Sequence, residues 1–185
     1  ENVIIAVFPG QGSQSPGFLT PWLDIPGSEN LLAAFSESAG VDLVAAGTVW
    51  DADRIRDTQV AQPLIVAASL LSWNALQERT SQRPAGFAGH SVGELAALAA
   101  AGVITNEEAL RLVGIRGRAM AEAAAAAETG MSAIIGGDQD AVVARLSELG
   151  LTAANYNGGG QLVAAGDLPA LATLSAEPPQ GTRVI

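Results

Sequence analysis

Pro84-Ala85-Gly86-Phe87-Ala88-Gly89-His90-Ser91-Val92-Gly93-Glu94-Leu95 is the stretch whose reading decides the fold. Pro84 to Gly89 is a strand candidate, weakened by its two glycines. Ser91 to Ala101 reads as a buried helix with Leu95 and Leu98 on one side. Between them Gly89-His90-Ser91-Val92-Gly93 matches G-x-S-x-G, the pattern of a sharp strand-to-helix turn that lifts a serine into an exposed, strained position. Glycines two before and two after the serine remove the Cβ atoms that would clash in so tight a turn. The helix that follows aims its unpaired N–H groups at the serine, where a developing oxyanion needs them. Three fixed positions alone form a weak pattern in an Ala- and Gly-rich chain, and the strand before and helix after give it weight.

Working outward, Val3 to Phe8 is a short apolar run suited to a buried parallel strand, stopped by Pro9-Gly10. Gly10-Gln11-Gly12-Ser13-Gln14 is a loop of small and amide residues. Ser28 to Val44 has helical periodicity, with Leu31, Leu32, Phe35 and Ala39 on one face, and Asp51 to Thr58 is polar. Leu64 to Leu76 reads as a buried helix with Pro63 near its first turn. Thr105 with Glu108 three residues on marks a helix start, and that helix continues through Arg111, Arg116 and Met120.

The rhythm then changes. Met131 to Ile135 reads as a strand, Asp138 to Leu149 as a helix with Val142, Val143, Leu146 and Leu149 inward, and Leu151 to Tyr156 and Gln161 to Ala165 as strands joined by Asn157-Gly158-Gly159-Gly160. Asp167 to Leu174 is a helix and Thr182 to Ile185 a last strand. This β-α-β-β-α-β order is the ferredoxin-like arrangement. The fold expected is α/β, with residues 1–128 in a parallel-sheet domain and residues 129–185 in a small α+β unit. The last strand ends flush with Ile185, which reads as a cut.

Composition narrows the function. With 185 residues, 49% of them hydrophobic and 15% charged, the chain suits one domain, or one domain with a small inserted one, around a substantial core. All nine basic residues are arginine. A net charge of −10 argues against nucleic acid and against an anionic membrane surface. Without cysteine there is no disulfide, Cys metal site or thiol nucleophile, and no cofactor or metal is expected. Glu1 to Phe8 lacks the basic start and long apolar stretch of a secretory signal, and no apolar segment reaches bilayer length, so a cytoplasmic protein is expected, and separately a monomer.

A serine hydroxyl needs a general base to attack at neutral pH. His90, the one histidine in the sequence, adjoins Ser91 and diverges from it on such a turn, so it reads as a packing or supporting residue. No Ser-Asp-His triad can be completed from these residues. Arg116, taken alone, is an ordinary solvated helix charge.

Phe8-Pro9-Gly10-Gln11-Gly12-Ser13-Gln14, Gly89-His90-Ser91-Val92-Gly93-Glu94, Ile115-Arg116-Gly117-Arg118 and Asn155-Tyr156-Asn157-Gly158-Gly159-Gly160-Gln161 together resemble the malonyl-CoA:acyl carrier protein transacylases and related acyltransferase domains, in order and spacing. The resemblance implies an α/β-hydrolase-like body with an inserted ferredoxin-like subdomain. It also implies ping-pong transfer of malonyl from malonyl-CoA through Ser91 to the phosphopantetheine thiol of acyl carrier protein, for fatty-acid or polyketide synthesis. It gives the oxyanion hole to the backbone N–H groups of Gln11 and Val92, and the malonyl carboxylate to Arg116. It puts Gln62, Asn157 and His90 near the site in supporting positions. The family's base is a histidine after the ferredoxin-like unit, and this sequence holds none there.

Two other readings stand beside this one: a serine esterase or thioesterase on the same turn, and a non-catalytic piece that binds CoA or carrier protein. Arg111 and Arg118 are expected to point outward as a cationic patch for an acidic carrier, with Arg116 inward.

Overall fold

The structure is a computed structural model that describes residues 3–185; the reading of a signal-free start at Glu1 and Asn2 lies outside them. It divides into two compact units, the first ending at Glu122 and the second running Ala123–Ile185.

In the first unit, strand β1 (Ile5–Phe8) pairs in parallel with β2 (Gly86–Gly89), with Ile5 opposite Gly86 and Phe8 opposite Gly89. Residues 9–85, with five helical segments, make the crossover between them: a 3-10 turn at Thr20–Asp24, then α1 (Ser28–Ala39), α2 (Leu43–Thr48), α3 (Ala52–Arg56) and α4 (Thr58–Gln77). After β2 come α5 (Gly93–Ala100) and α6 (Asn106–Ala125). The expectation of a buried β1 is corrected: Ile5 is 52% and Val7 74% exposed. Among the described residues β1 pairs only with β2, and one of its faces is uncovered.

Helix α4 is the hub, burying residues from Val60 to Ala75 and contributing Leu64, Ile65, Leu70 and Leu71 to a core shared with Leu32, Phe35, Leu43, Ile55, Leu110 and Val113. It starts at Thr58 because the Asp57 carboxylate accepts the Gln59 N–H at 3.0 Å. Pro63 therefore lies inside the helix and not at its first turn, giving up the bond to the Gln59 carbonyl. The helix expected from Ser28 to Val44 is two: Gly40, at φ +72°, closes α1, and the Asp42 carboxylate, accepting the Ala45 N–H, opens α2. In α5 the buried face is Gly93, Ala96 and Ala97, while Leu98 is 40% exposed, so small residues and not leucines let this helix approach the strands. Helix α6 opens as expected, with Thr105 Oγ1 accepting the Glu108 N–H at 3.0 Å and Glu108 Oε2 accepting the Thr105 N–H at 2.8 Å. These hydrogen bonds hold the exposed Glu108 carboxyl below the ordinary glutamate range.

The second unit follows the order strand, helix, two strands, helix, strand: β3 (Thr129–Gly136), α7 (Gln139–Glu148), β4 (Thr152–Gly158), β5 (Gln161–Asp167), α8 (Leu168–Ala176) and β6 (Thr182–Val184). Its antiparallel sheet runs β4-β5-β3-β6. Ile134, Leu162 and Ala164 meet Val142, Leu146, Leu171 and Leu174 in a core of their own. Gly159 and Gly160 both have positive φ, 58° and 76°, as a two-residue hairpin turn between Gly158 and Gln161 requires. Among the described residues no helix is long and apolar enough to cross a membrane.

Candidate active site

The turn read from G-x-S-x-G is present. Ser91, at φ 52°, is the one non-glycine residue with positive φ among the described residues, a conformation that costs on the order of 1–3 kcal/mol and persists only where the surroundings enforce it. The enforcement is steric and hydrogen-bonded. A Cβ on Gly89 would collide with the Gly93 carbonyl, and one on Gly93 would collide with the Phe8 carbonyl oxygen. The Gly93 N–H donates to the His90 carbonyl and the Glu94 N–H to the Ser91 carbonyl, both at 3.0 Å. Val92 caps α5 with no side-chain hydrogen bond, so the positive end of this helix faces the serine unscreened by a capping side chain.

The loop after β1 lies alongside. The His90 N–H donates to the Phe8 carbonyl at 3.0 Å, and Gly10 is so close to the turn that a Cβ there would lie 2.7 Å from His90 Nδ1. Gln14 braces the loop from within: its Oε1 accepts the Gly12 N–H at 2.9 Å and its Nε2 donates to the Ile55 carbonyl at 3.2 Å.

Helix α6 supplies the cation. Arg116 Nη2 donates to Ser91 Oγ at 3.4 Å, and Arg116 Nη1 donates to Gln62 Oε1 at 2.5 Å. Gln62 is 2% exposed, and its amide is used on both sides: Nε2 donates to Gln11 Oε1 at 3.5 Å and to Met120 Sδ at 3.2 Å. One buried glutamine thus joins the β1 loop, α4 and α6 behind the serine. The guanidinium is the one group here that can grip a carboxylate through two parallel N–H donors.

Of the residues expected at the site, the structure brings together Ser91, Gln11, Val92, Gln62, Arg116 and His90. Asn157 belongs to the other unit, exposed near the end of β4, where the pairing with β5 is irregular between Tyr156 and Gly158. Arg111 and Arg118 are both exposed, as expected, and Arg118 Nη1 also donates to the Ala39 carbonyl at 3.2 Å, at the C-terminal end of α1. Sequence reasoning misses Met120 and Gln14 as site residues. Met120 lies one helical turn beyond Arg116, and that spacing of four is the signal that could find it.

Comparison with known proteins shows the family. Residues 5–184 match the family described as "Acyl transferase domain". The malonyl CoA-acyl carrier protein transacylase of Mycobacterium tuberculosis is 49% identical over 184 residues, and that of Salmonella typhimurium 42% over 166. The match covers 98% of this chain and 61% of the mycobacterial protein, and 86% and 53% for the Salmonella one, so the chain spans about three fifths or less of these relatives' length. The crystal structure of MCAT from Mycobacterium tuberculosis superposes with a TM-score of 0.94 at 48% identity, covering 99% of this chain and 61% of that one. A malonyl-transacylase solved in complex with a type II PKS acyl-carrier protein superposes with a TM-score of 0.87 at 33% identity, covering 100% of this chain and 62% of that one. The mixed α/β architecture, with one parallel and one antiparallel sheet, is that of these structures, and the chain belongs to the acyl transferase domain family.

Proposed function

We propose that this chain carries the nucleophile and carboxylate-binding half of a malonyl-CoA:acyl carrier protein transacylase, with residues 1–128 in an α/β-hydrolase-like body and residues 129–185 in a ferredoxin-like subdomain. Ser91 Oγ attacks the thioester carbonyl of malonyl-CoA, forming the ester bond as the carbon–sulfur bond breaks and CoA leaves. The phosphopantetheine thiol of acyl carrier protein then attacks that ester, taking the malonyl group and returning the serine hydroxyl. Gln11 and Val92 N–H groups hold the oxyanion of each tetrahedral intermediate. Arg116 holds the malonyl carboxylate, which brings the reacting carbonyl to the serine. Gln62 fixes Arg116, and the resemblance gives His90 and Asn157 supporting roles. It puts the base among residues that follow those matched here.

The observation that carries this reading is the placement of Arg116 between Ser91 Oγ, at 3.4 Å, and the buried Gln62. A serine hydrolase for neutral esters has no use for a guanidinium held at its nucleophile, whereas an acyl group ending in a carboxylate demands one. The test is transfer of malonyl from malonyl-CoA to holo acyl carrier protein, read as mass gain on the carrier. Transfer that depends on Ser91 and Arg116 supports the proposal. Release of free malonate at the same rate with or without carrier would replace it with an esterase.

A further inference from the structure

We propose that His90 and Gly10 form a steric lock that sets the position of the Gln11 N–H, making His90 a positioning residue for the oxyanion hole. The inference rests on the reading of Ser91 as the acylated nucleophile. A Cβ built on Gly10 would lie 2.7 Å from His90 Nδ1 and 2.9 Å from the His90 carbonyl oxygen, both closer than real Cβ contacts allow. Gly10 is not among the glycines with positive φ, so its backbone would accept a side chain, and only the wall made by His90 opposes one.

The backbone part of that wall is held in place. The His90 N–H is held by the Phe8 carbonyl and the His90 carbonyl by the Gly93 N–H, each at 3.0 Å, so its backbone is pinned between β1 and the start of α5, and the exposed ring projects from that fixed point. The loop is pinned at its other end too: Ser13 Oγ donates to the Gly10 carbonyl at 3.1 Å, and Gln14 ties Gly12 to the Ile55 carbonyl. Gln11 sits between these two fixed points, and its own Oε1 accepts from Gln62. Its backbone N–H therefore follows any displacement of Gly10. This gives the histidine beside the nucleophile a task that needs no proton transfer. An oxyanion donor is worth about 10²–10³ in rate, and it works only over a few tenths of an ångström.

The test compares the unaltered chain with Gly10→Ala, His90→Ala and the double variant. Two quantities are read: the rate of malonyl-Ser91 formation and the backbone amide resonance of Gln11. Gly10→Ala is expected to slow acylation about 10- to 100-fold with KM for malonyl-CoA within about twofold, and to shift the Gln11 resonance. In the double variant both effects should be smaller than the sum of the single ones, because removing the ring relieves the 2.7 Å contact while the 2.9 Å contact with the His90 carbonyl oxygen stays. Strictly additive effects, or a Gln11 resonance that stays in place in Gly10→Ala, would overturn the lock. Should Gly10→Ala fail to fold, His90→Ala decides alone: it removes volume, and an unmoved Gln11 amide there refutes the proposal. A chain whose Ser91 is never acylated, even with imidazole supplied as an external base, would sink the functional reading, and the resonance would still decide the lock.

Discussion

Replacing Gln62 with leucine removes the support behind Arg116 while keeping a buried side chain of similar size. The Arg116 Nη1 to Gln62 Oε1 hydrogen bond, at 2.5 Å, has a charged donor and an acceptor that is 2% exposed. Bonds of this kind contribute about 1.5–3 kcal/mol. The freed guanidinium also regains rotamers that it must give up again on gripping a carboxylate, out of a side-chain total of about 2 kcal/mol. Part of this is recovered because Arg116 is only half-buried and water can replace the lost acceptor. A net loss of about 1.4–2 kcal/mol follows, or roughly 10- to 30-fold in the rate of acylation by malonyl-CoA. Acetyl-CoA carries no distal carboxylate, so its slower reaction with Ser91 should change by less than about threefold. The assay is competition between the two thioesters at equal concentration, with malonyl and acetyl adducts counted by intact mass. A malonyl-to-acetyl ratio within about twofold of the unaltered chain would refute the reasoning, because Gln62 would then not be what holds Arg116 for the carboxylate.

Thr105→Ala should cost about 1 kcal/mol of stability, seen as a lower melting temperature, since it removes the cap on the Glu108 N–H. Glu108 has its carboxyl held below the ordinary glutamate range by Thr105, so the stability it adds is full at neutral pH and fades as pH falls through its lowered folded value. The gap in melting temperature between the native chain and Glu108→Gln should accordingly close on acidification, and a gap independent of pH would contradict the cap. Gly114→Ala drives a Cβ into the Ala39 carbonyl oxygen and should destabilise by about 1–3 kcal/mol through forced separation of α1 and α6, measured by denaturant unfolding. Leu146→Ala opens the small core of the second unit and should cost about 2–5 kcal/mol, with hydrogen-exchange protection lost first in Ala123–Ile185.

Features governed by neighbours in the chain are legible in the amino-acid sequence alone. The elbow can be read because its steric requirement falls on the residues two before and two after the serine, and Gly89 and Gly93 both prove to have backbone where a Cβ would go. The start of α6 is visible because a capping box is a local pair. The succession of elements after Thr129 shows through alternation, 3.6-residue periodicity and the triple glycine. Short helices do not show. The 3-10 turn at Thr20–Asp24, α2 and α3 each span five or six residues, too few to display a period, and for the two α-helices the Asp caps at Asp42 and Asp51 are the only signal.

The interior of the site is the least legible part. Gln62 and Arg116 are 54 positions apart, and nothing in either segment says that they touch. Resemblance names the residue types, but the geometry that makes Gln62 a bridge between Gln11, Met120 and Arg116 arises only when α4 and α6 pack. The close approach of Gly10 to His90 is of the same kind, a contact between residues remote in sequence that is set by the pairing of β1 with β2.

Ser91 as the acyl-carrying residue is the central claim, and intact mass after incubation with malonyl-CoA tests it most directly. With the proposed oxyanion donors and substrate binding acting alone, about 10³–10⁴-fold over water would remain, so a malonyl adduct is predicted, faster when imidazole is supplied as an external base. The adduct should map to Ser91, be absent from Ser91→Ala and disappear on adding holo acyl carrier protein. An adduct that persists in Ser91→Ala, or none at all even with imidazole, would contradict the central claim.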